Sequence, residues 1–234
     1  MSGILFGVGV GPGDPEEMTL KAVRILKEAD ILILPEAPRE TSISYRIASA
    51  AVPELAGKPY LALSIPMSYD RSRQKEAYDQ AAGQIARYLE EGRSAAYITI
   101  GDPAVYSSFA ELDGRIRAKG YETRMISGVP SFCACAAALG IPLVKGDEEL
   151  RVIPGNLPEG KTPAVTEVYM KSGRHLKELK QSLQKRSSMN TIQAAAVSAC
   201  GGPDQKIFRT IEEMPDHAGY MTTVIVKEIK QGHD

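Results

Sequence analysis

The 234-residue chain is 43% hydrophobic and 24% charged, with 28 Lys and Arg against 29 Asp and Glu. A net charge of -1 lacks the basic excess of a phosphate-backbone binder. No apolar run approaches the ~18 residues of a membrane span. Three cysteines (Cys133, Cys135, Cys200) give no even disulfide framework, so a reducing, cytoplasmic setting is expected.

Strands and helices alternate through the first half. Residues 4–10 read as a strand, and Ala22, Ile25, Leu26 and Ala29 fall at i, i+3, i+4, i+7 on one helical face. Residues 31–34 are a short apolar strand closed by Pro35, and Ile43, Ile47 and Ala51 mark a helix. A third strand spans 60–65, and Tyr78, Ala81, Ala82, Ile85 and Leu89 form the next helical face. Residues 95–100 and 121–126 read as the fourth and fifth strands, with a helix through Phe109, Leu112 and Ile116 between them. This βαβα order predicts a mostly parallel sheet covered on both faces.

The second half has a different rhythm. A small-residue helix at 131–139 precedes strand-like pieces at 151–153 and 166–171. Leu176, Leu179 and Leu183 mark a helix, and strands follow at 192–199, 206–211 and 220–229. Closing strands with few intervening helices predict a mixed, partly antiparallel sheet. The expected division is an N-terminal α/β domain over 1–127 and a C-terminal α/β domain over 128–234.

Three turns carry the chemical signal. The first strand runs into Val8-Gly9-Val10-Gly11-Pro12-Gly13-Asp14-Pro15, glycine-rich yet stiffened by proline. It fits no nucleotide fingerprint. Counting from Gly7, the third glycine of a dinucleotide motif falls on Pro12, and counting from Gly9 it falls on Asp14. The Gly-Lys-Ser/Thr of a phosphate loop is also missing. The fourth strand ends in Gly101-Asp102-Pro103, with Asp102 placed to cap the free N–H groups of a following helix. The fifth ends in Ser127-Gly128-Val129-Pro130-Ser131. In a parallel sheet all three turns gather at one edge, where open α/β sheets bind ligands. The glycines are expected to let a ligand approach the backbone. Cys133 and Cys135 lie about 200° apart around a helix, so no shared metal site is expected.

In combination these segments resemble the tetrapyrrole methylases. The glycine turn is similar to that family's first motif, and Gly101-Asp102-Pro103 with Val105 and Tyr106 to its Gly-Asp-Pro loop. Ser127-Gly128-Val129-Pro130-Ser131 resembles its Pro-Gly-Val-Thr-Ser segment, with Ser127 in place of Pro and Pro130 in place of Thr. Val168-Tyr169-Met170-Lys171 resembles its methionine segment. The likeness runs from residue 4 to about residue 229. It implies two α/β/α lobes with the active-site cleft between them, and S-adenosyl-L-methionine as cofactor with S-adenosyl-L-homocysteine as product. The N-terminal domain would carry the Gly-Asp-Pro loop and much of the substrate cleft, and the C-terminal domain further cofactor contacts. Cofactor contacts are implied at Pro12, Gly101, Asp102, Pro103, Val105, Tyr106, Ser131, Phe132, Tyr169, Met170, Ala199 and Thr223.

Within the family, Gly146-Asp147-Glu148-Glu149-Leu150 with Val152-Ile153-Pro154 resembles the branch that methylates C20 of precorrin-2 or cobalt-factor II, as does Pro66-Met67. Uroporphyrinogen methylases would show a doubled glycine where Ile100-Gly101 stands. The resemblance implies a homodimer with a tetrapyrrole partner and neither nucleic acid nor membrane. Asp102 and Asp14 are the carboxylates placed nearest the expected cleft, and Arg39 and Arg46 the first candidates for substrate carboxylates, since guanidinium pairs well with them. The alternatives are another methyltransferase of this fold, acting on a different corrin position, ribosomal RNA ribose or a diphthine-type residue, and a non-catalytic ligand-binding subunit.

Overall fold

The computed structural model describes residues 2–35, 38–65, 71–154, 166–189 and 192–228. Pro66-Met67 lies outside them. The chain divides into two compact units, Met1–Pro130 and Ser131–Asp234.

The first unit alternates as its sequence predicts: β1 Ile4–Gly9, α1 Leu20–Glu28, β2 Ile31–Leu34, α2 Ile43–Ala51, β3 Tyr60–Ala62, α3 Arg71–Glu90, β4 Ala95–Thr99, α4 Phe109–Ala118 and β5 Glu122–Ile126. The strands form one parallel sheet in the order β3-β2-β4-β1-β5. Strand side chains alternate between two cores. Val8, Leu32, Leu34, Ala96 and Ile98 pack with Ile25 and Leu26 of α1 and with Ile47 and Ala48 of α2. Leu5, Ile31, Ile33 and Tyr97 pack with Ile85 and Leu89 of α3 and with Phe109 and Leu112 of α4. This explains why all four residues of β2 are apolar: each face has its own helix layer. Burying a side chain such as Leu26 contributes roughly 1.5–3 kcal/mol. The helix of α1 starts where Thr19 supplies a cap, its hydroxyl accepting from Ala22 N at 3.2 Å.

The second unit contains α5 Ser131–Leu139, β6 Leu150–Pro154, β7 Thr166–Met170, α6 Leu176–Met189, β8 Ile192–Ser198, β9 Lys206–Phe208 and β10 Thr222–Glu228. Its sheet, in the order β6-β7-β10-β8-β9, is mixed: β6 runs parallel to β7, and the remaining pairs are antiparallel. Leu176, Leu179 and Leu183 of α6 pack on one face against Ala194, Ala196 and Val224. Cys135 of α5 is buried and Cys133 exposed, as helical geometry requires. Two strands are shorter than expected: β3 stops at Ala62, which pairs with Leu34 at the end of β2, and β9 stops at Phe208.

Candidate functional site

The strand order sets β4, β1 and β5 side by side, so their three carboxyl-terminal turns meet. Val10 N donates to Thr99 O at 3.0 Å, and Gly101 N donates to Gly11 O at 2.8 Å. Both glycines have positive φ, 76° at Gly11 and 72° at Gly101. Gly9 and Gly128 lie against the same peptide. A Cβ on Gly9 would come within 2.5 Å of Gly101 O, and one on Gly128 within 2.2 Å of it. The close approach that glycine allows is therefore made by protein backbone. At Gly9 and Gly128, glycine lets the turns knit to one another.

Asp102 joins the same knot. Its Oδ1 accepts from Ala104 N at 2.7 Å and its Oδ2 from Gly128 N at 3.0 Å, across 26 positions of sequence. The expected helix cap is not formed, because α4 begins only at Phe109. Ser107 takes the cap-like role. Its hydroxyl accepts from Phe109 N at 3.1 Å and bonds the Thr99 hydroxyl at 3.0 Å. The segment between Thr99 and Ser107 is thus tied at both ends. Within it Gly101 and Pro103 are buried, Val105 is half-buried and Tyr106 is exposed. Tyr106 holds a φ of 48°. Thr19 closes the ring of contacts, its hydroxyl donating to Ser127 O at 3.1 Å.

The other acidic candidate is also engaged by backbone. Asp14 Oδ1 accepts from Glu16 N at 2.9 Å and caps the single turn Pro15–Glu17, while Pro12 is buried beside it. Glu17, which carries no motif signal in the sequence, differs: its Oε2 is buried with no hydrogen-bond partner among the described residues. Burial first, and the nearby Asp14 charge second, push its carboxyl above the ordinary 4.5. The folded state therefore holds this proton to higher pH than the unfolded chain. Its contribution to stability is full below 4.5 and is lost as pH rises through the raised value. Glu17→Gln should flatten that fall. Urea midpoints measured from pH 4 to 8 check it, and a variant whose slope equals the parent's overturns it.

Arg39 and Arg46 part company. The Arg39 guanidinium is stacked 5.2 Å from the Tyr45 ring centre and 4.8 Å from that of Tyr60, and donates to Ala56 O at 3.3 Å. These contacts hold the guanidinium against two tyrosine rings, and its Nε is buried without a hydrogen bond among the described residues. Arg46 is exposed on α2.

In the second unit Met170, Ala199 and Thr223 come to one sheet edge, where β7 and β8 end and β10 begins. Thr223 pairs with Val197, and Ala199 N donates to Met221 O at 2.9 Å. The Tyr169 side chain is packed in the core. Its ring is buried among the α6-facing core, and its hydroxyl donates to Glu167 at 2.8 Å. Burial first, then that carboxylate, push the phenol up to about 12. Only its backbone belongs to the edge, and its carbonyl already accepts from Ser172 at 2.8 Å. Ser131 and Phe132 open α5, both half-buried.

One signal is invisible in the sequence. Among the described residues the non-glycine positions with positive φ are Tyr106, Lys171 and Ala199. All three lie at these two edges, and such backbone strain concentrates at functional sites. A cavity of about 370 Å³ lined by Ile192, Ala195, Arg209, Ile225 and Lys227 lies at the opposite end of β8 and β10, and none of the candidate residues lines it.

The family model "Tetrapyrrole (Corrin/Porphyrin) Methylases" matches residues 5–215. A precorrin-2 C(20)-methyltransferase of Sinorhizobium sp is 32% identical over 97% of both chains. A probable cobalt-precorrin-2 C(20)-methyltransferase of Methanocaldococcus jannaschii is 39% identical over 64% of this chain and 63% of its own. The solved uroporphyrin-III C-methyltransferase of Thermus thermophilus, complexed with S-adenyl homocysteine, superposes with a TM-score of 0.69 at 21% identity, covering 97% of this chain and 98% of that one. With a glycine turn, a Gly-Asp-Pro loop and a methionine segment at its strand ends, the chain belongs to the tetrapyrrole (corrin/porphyrin) methylase family.

Proposed function

We propose that the protein transfers a methyl group from S-adenosyl-L-methionine to C20 of precorrin-2 or its cobalt-containing counterpart, cobalt-factor II, in cobalamin biosynthesis, releasing S-adenosyl-L-homocysteine. The observation that carries this reading is the likeness to a precorrin-2 C(20)-methyltransferase along 97% of both chains.

The residues suit the cofactor. Its ammonium, carboxylate and adenine need donors and acceptors at fixed positions, and the tied segment after Thr99 offers backbone groups held from both ends. When bound, the cofactor supplies a methyl group on a positively charged sulfur. Proposed contacts are Pro12, Gly101, Asp102, Pro103, Val105 and Tyr106 in the first unit, and Ser131, Phe132, the Tyr169 backbone, Met170, Ala199 and Thr223 in the second. Asp102 acts through the loop: it fixes Ala104 and Gly128 by their N–H groups and so orients the peptides between. Pro12, Pro103, Val105 and Met170 exclude water. That favours a step in which the positive charge spreads as the methyl leaves sulfur. Correct positioning supplies much of the remaining acceleration.

The protein is further proposed to work as a cytoplasmic homodimer, which light scattering on the purified protein tests. No helix of the described residues is long and apolar enough to cross a membrane.

The decisive assay incubates the protein anaerobically with S-adenosyl-L-methionine and, in separate reactions, precorrin-2 and cobalt-factor II. The expected product carries one additional methyl, located at C20 by NMR. A protein that binds the cofactor yet methylates neither ring overturns the reading.

A further inference from the structure

Helix α1 carries an apolar residue on its outer face. Ala22, Ile25 and Leu26 form its buried stripe, while Leu20 shares the opposite side with Arg24 and Lys27, four and seven positions on. Leu20 is 89% exposed, about twice as much as any other large apolar side chain among the described residues. An amphipathic helix in contact with solvent alone would carry a polar residue there.

A groove runs beside this helix. A cavity of about 590 Å³ lies between α1 and β5, with Phe6, Ile25, Ile126 and the exposed Met125 in its lining. Three consecutive β5 residues, Arg124 to Ile126, border it, so it opens at the free edge of the strand that ends the sheet order. The Thr19 hydroxyl, donating to Ser127 O at 3.1 Å, fixes the start of α1 against the end of β5. Charges of both signs surround the groove: Arg24 pairs with Glu28 at 2.8 Å, Arg124 pairs with Glu122 at 2.6 Å, and Lys21 adds one cation. A nucleic acid or an acidic peptide would meet a carboxylate beside each of these guanidinium groups.

A face that carries an apolar knob, an apolar hollow and paired charges of both signs is complementary to itself. Such a face meets its own copy across a twofold axis, and each contact is made twice. We propose that a second copy of this chain covers it, the Leu20 of each copy entering the groove between α1 and β5 of the other, close to Met125. The inference rests on the homodimer proposed above and gives that dimer an interface. It accounts for the exposure of Leu20 and Met125, which association would remove from water. It also sets the ion pairs at the rim, where exchange of partners between copies costs little desolvation.

Sedimentation equilibrium of the purified protein over a range of concentrations tests the proposal, with circular dichroism to show that each variant is folded. Leu20→Asp should raise the dimer dissociation constant about a hundredfold, as loss of a central anchor does, and Leu20→Ala about tenfold. Neither should unfold the monomer: Leu20 is exposed, and it opens α1, where an acidic residue suits the helix dipole. Met125→Lys should weaken the dimer as well. Combined with Leu20→Asp it sets opposite charges against each other between copies, and the double variant should recover part of the loss. Parent-like dissociation constants in Leu20→Asp and Met125→Lys, or a double variant no tighter than Leu20→Asp, overturn this inference alone. A parent protein that is monomeric at every concentration overturns it together with the proposed homodimer.

Discussion

Gly128→Ala is expected to destabilise the first unit by about 3 kcal/mol or more and to abolish measurable binding of S-adenosyl-L-methionine. The added Cβ would lie 2.2 Å from Gly101 O, 2.8 Å from Gly9 C and 2.9 Å from Gly9 Cα. Overpacking typically costs about 1–3 kcal/mol when side chains can shift. Here the obstructing atoms are all backbone, and they belong to two turns whose own hydrogen bonds would have to break. Relief requires separating the β1, β4 and β5 ends, which is also the loss of the arranged edge. Gly83→Ala is the matched control: it lies inside α3 with open space around it. That substitution should leave binding intact and stabilise by roughly 0.5–1 kcal/mol, since alanine outranks glycine in a helix. Urea unfolding and calorimetry on both variants decide the matter. A Gly128→Ala midpoint equal to the parent's would show that the three turns are not interlocked as described.

Asp102→Ala should lower S-adenosyl-L-methionine affinity by about a hundredfold. Its carboxylate accepts from Ala104 N at 2.7 Å and from Gly128 N at 3.0 Å. Hydrogen bonds to a charged group are each worth about 1.5–3 kcal/mol. If roughly 3 kcal/mol of loop order must be restored on binding, a factor of ten per 1.4 kcal/mol gives the hundredfold loss. Asp102→Asn separates charge from geometry. One amide oxygen can keep one bond, but the NH2 then faces a second N–H donor, so a loss near that of alanine is expected. Affinity unchanged in Asp102→Ala would remove this loop from the cofactor site.

Much of the fold is legible because burial imposes a period on each element. The run Ile31-Leu32-Ile33-Leu34 announces a strand covered on both faces, and the i, i+3, i+4, i+7 spacing from Ala22 announces a helix with one buried stripe. Strand ends are less legible. β3 stops at Ala62, paired with Leu34 at the end of β2, although Leu63 and Ile65 continue its apolar alternation. In the site, the Gly-Asp-Pro spacing marks the right loop. It misleads on what Asp102 does, because the cap reading is local and the bond to Gly128 is not. What holds Arg39 is likewise non-local: Tyr60 and Ala56 lie 21 and 17 positions further along the chain.

Residue periodicity is enough for the alternating strands and helices of the first unit and the mixed sheet of the second, and short contiguous motifs are enough for the family. How the three turns meet is a matter of long-range packing. That depends on the β4-β1-β5 strand order, and strand order is chosen by packing over the whole sheet and leaves no local trace. Long-range packing also decides that the glycines accommodate backbone, that Glu17 keeps an oxygen unpartnered among the described residues, and that Tyr106, Lys171 and Ala199 are held in left-handed conformations. Each of those follows from neighbours distant in sequence, whose contacts outweigh what the residue would adopt alone.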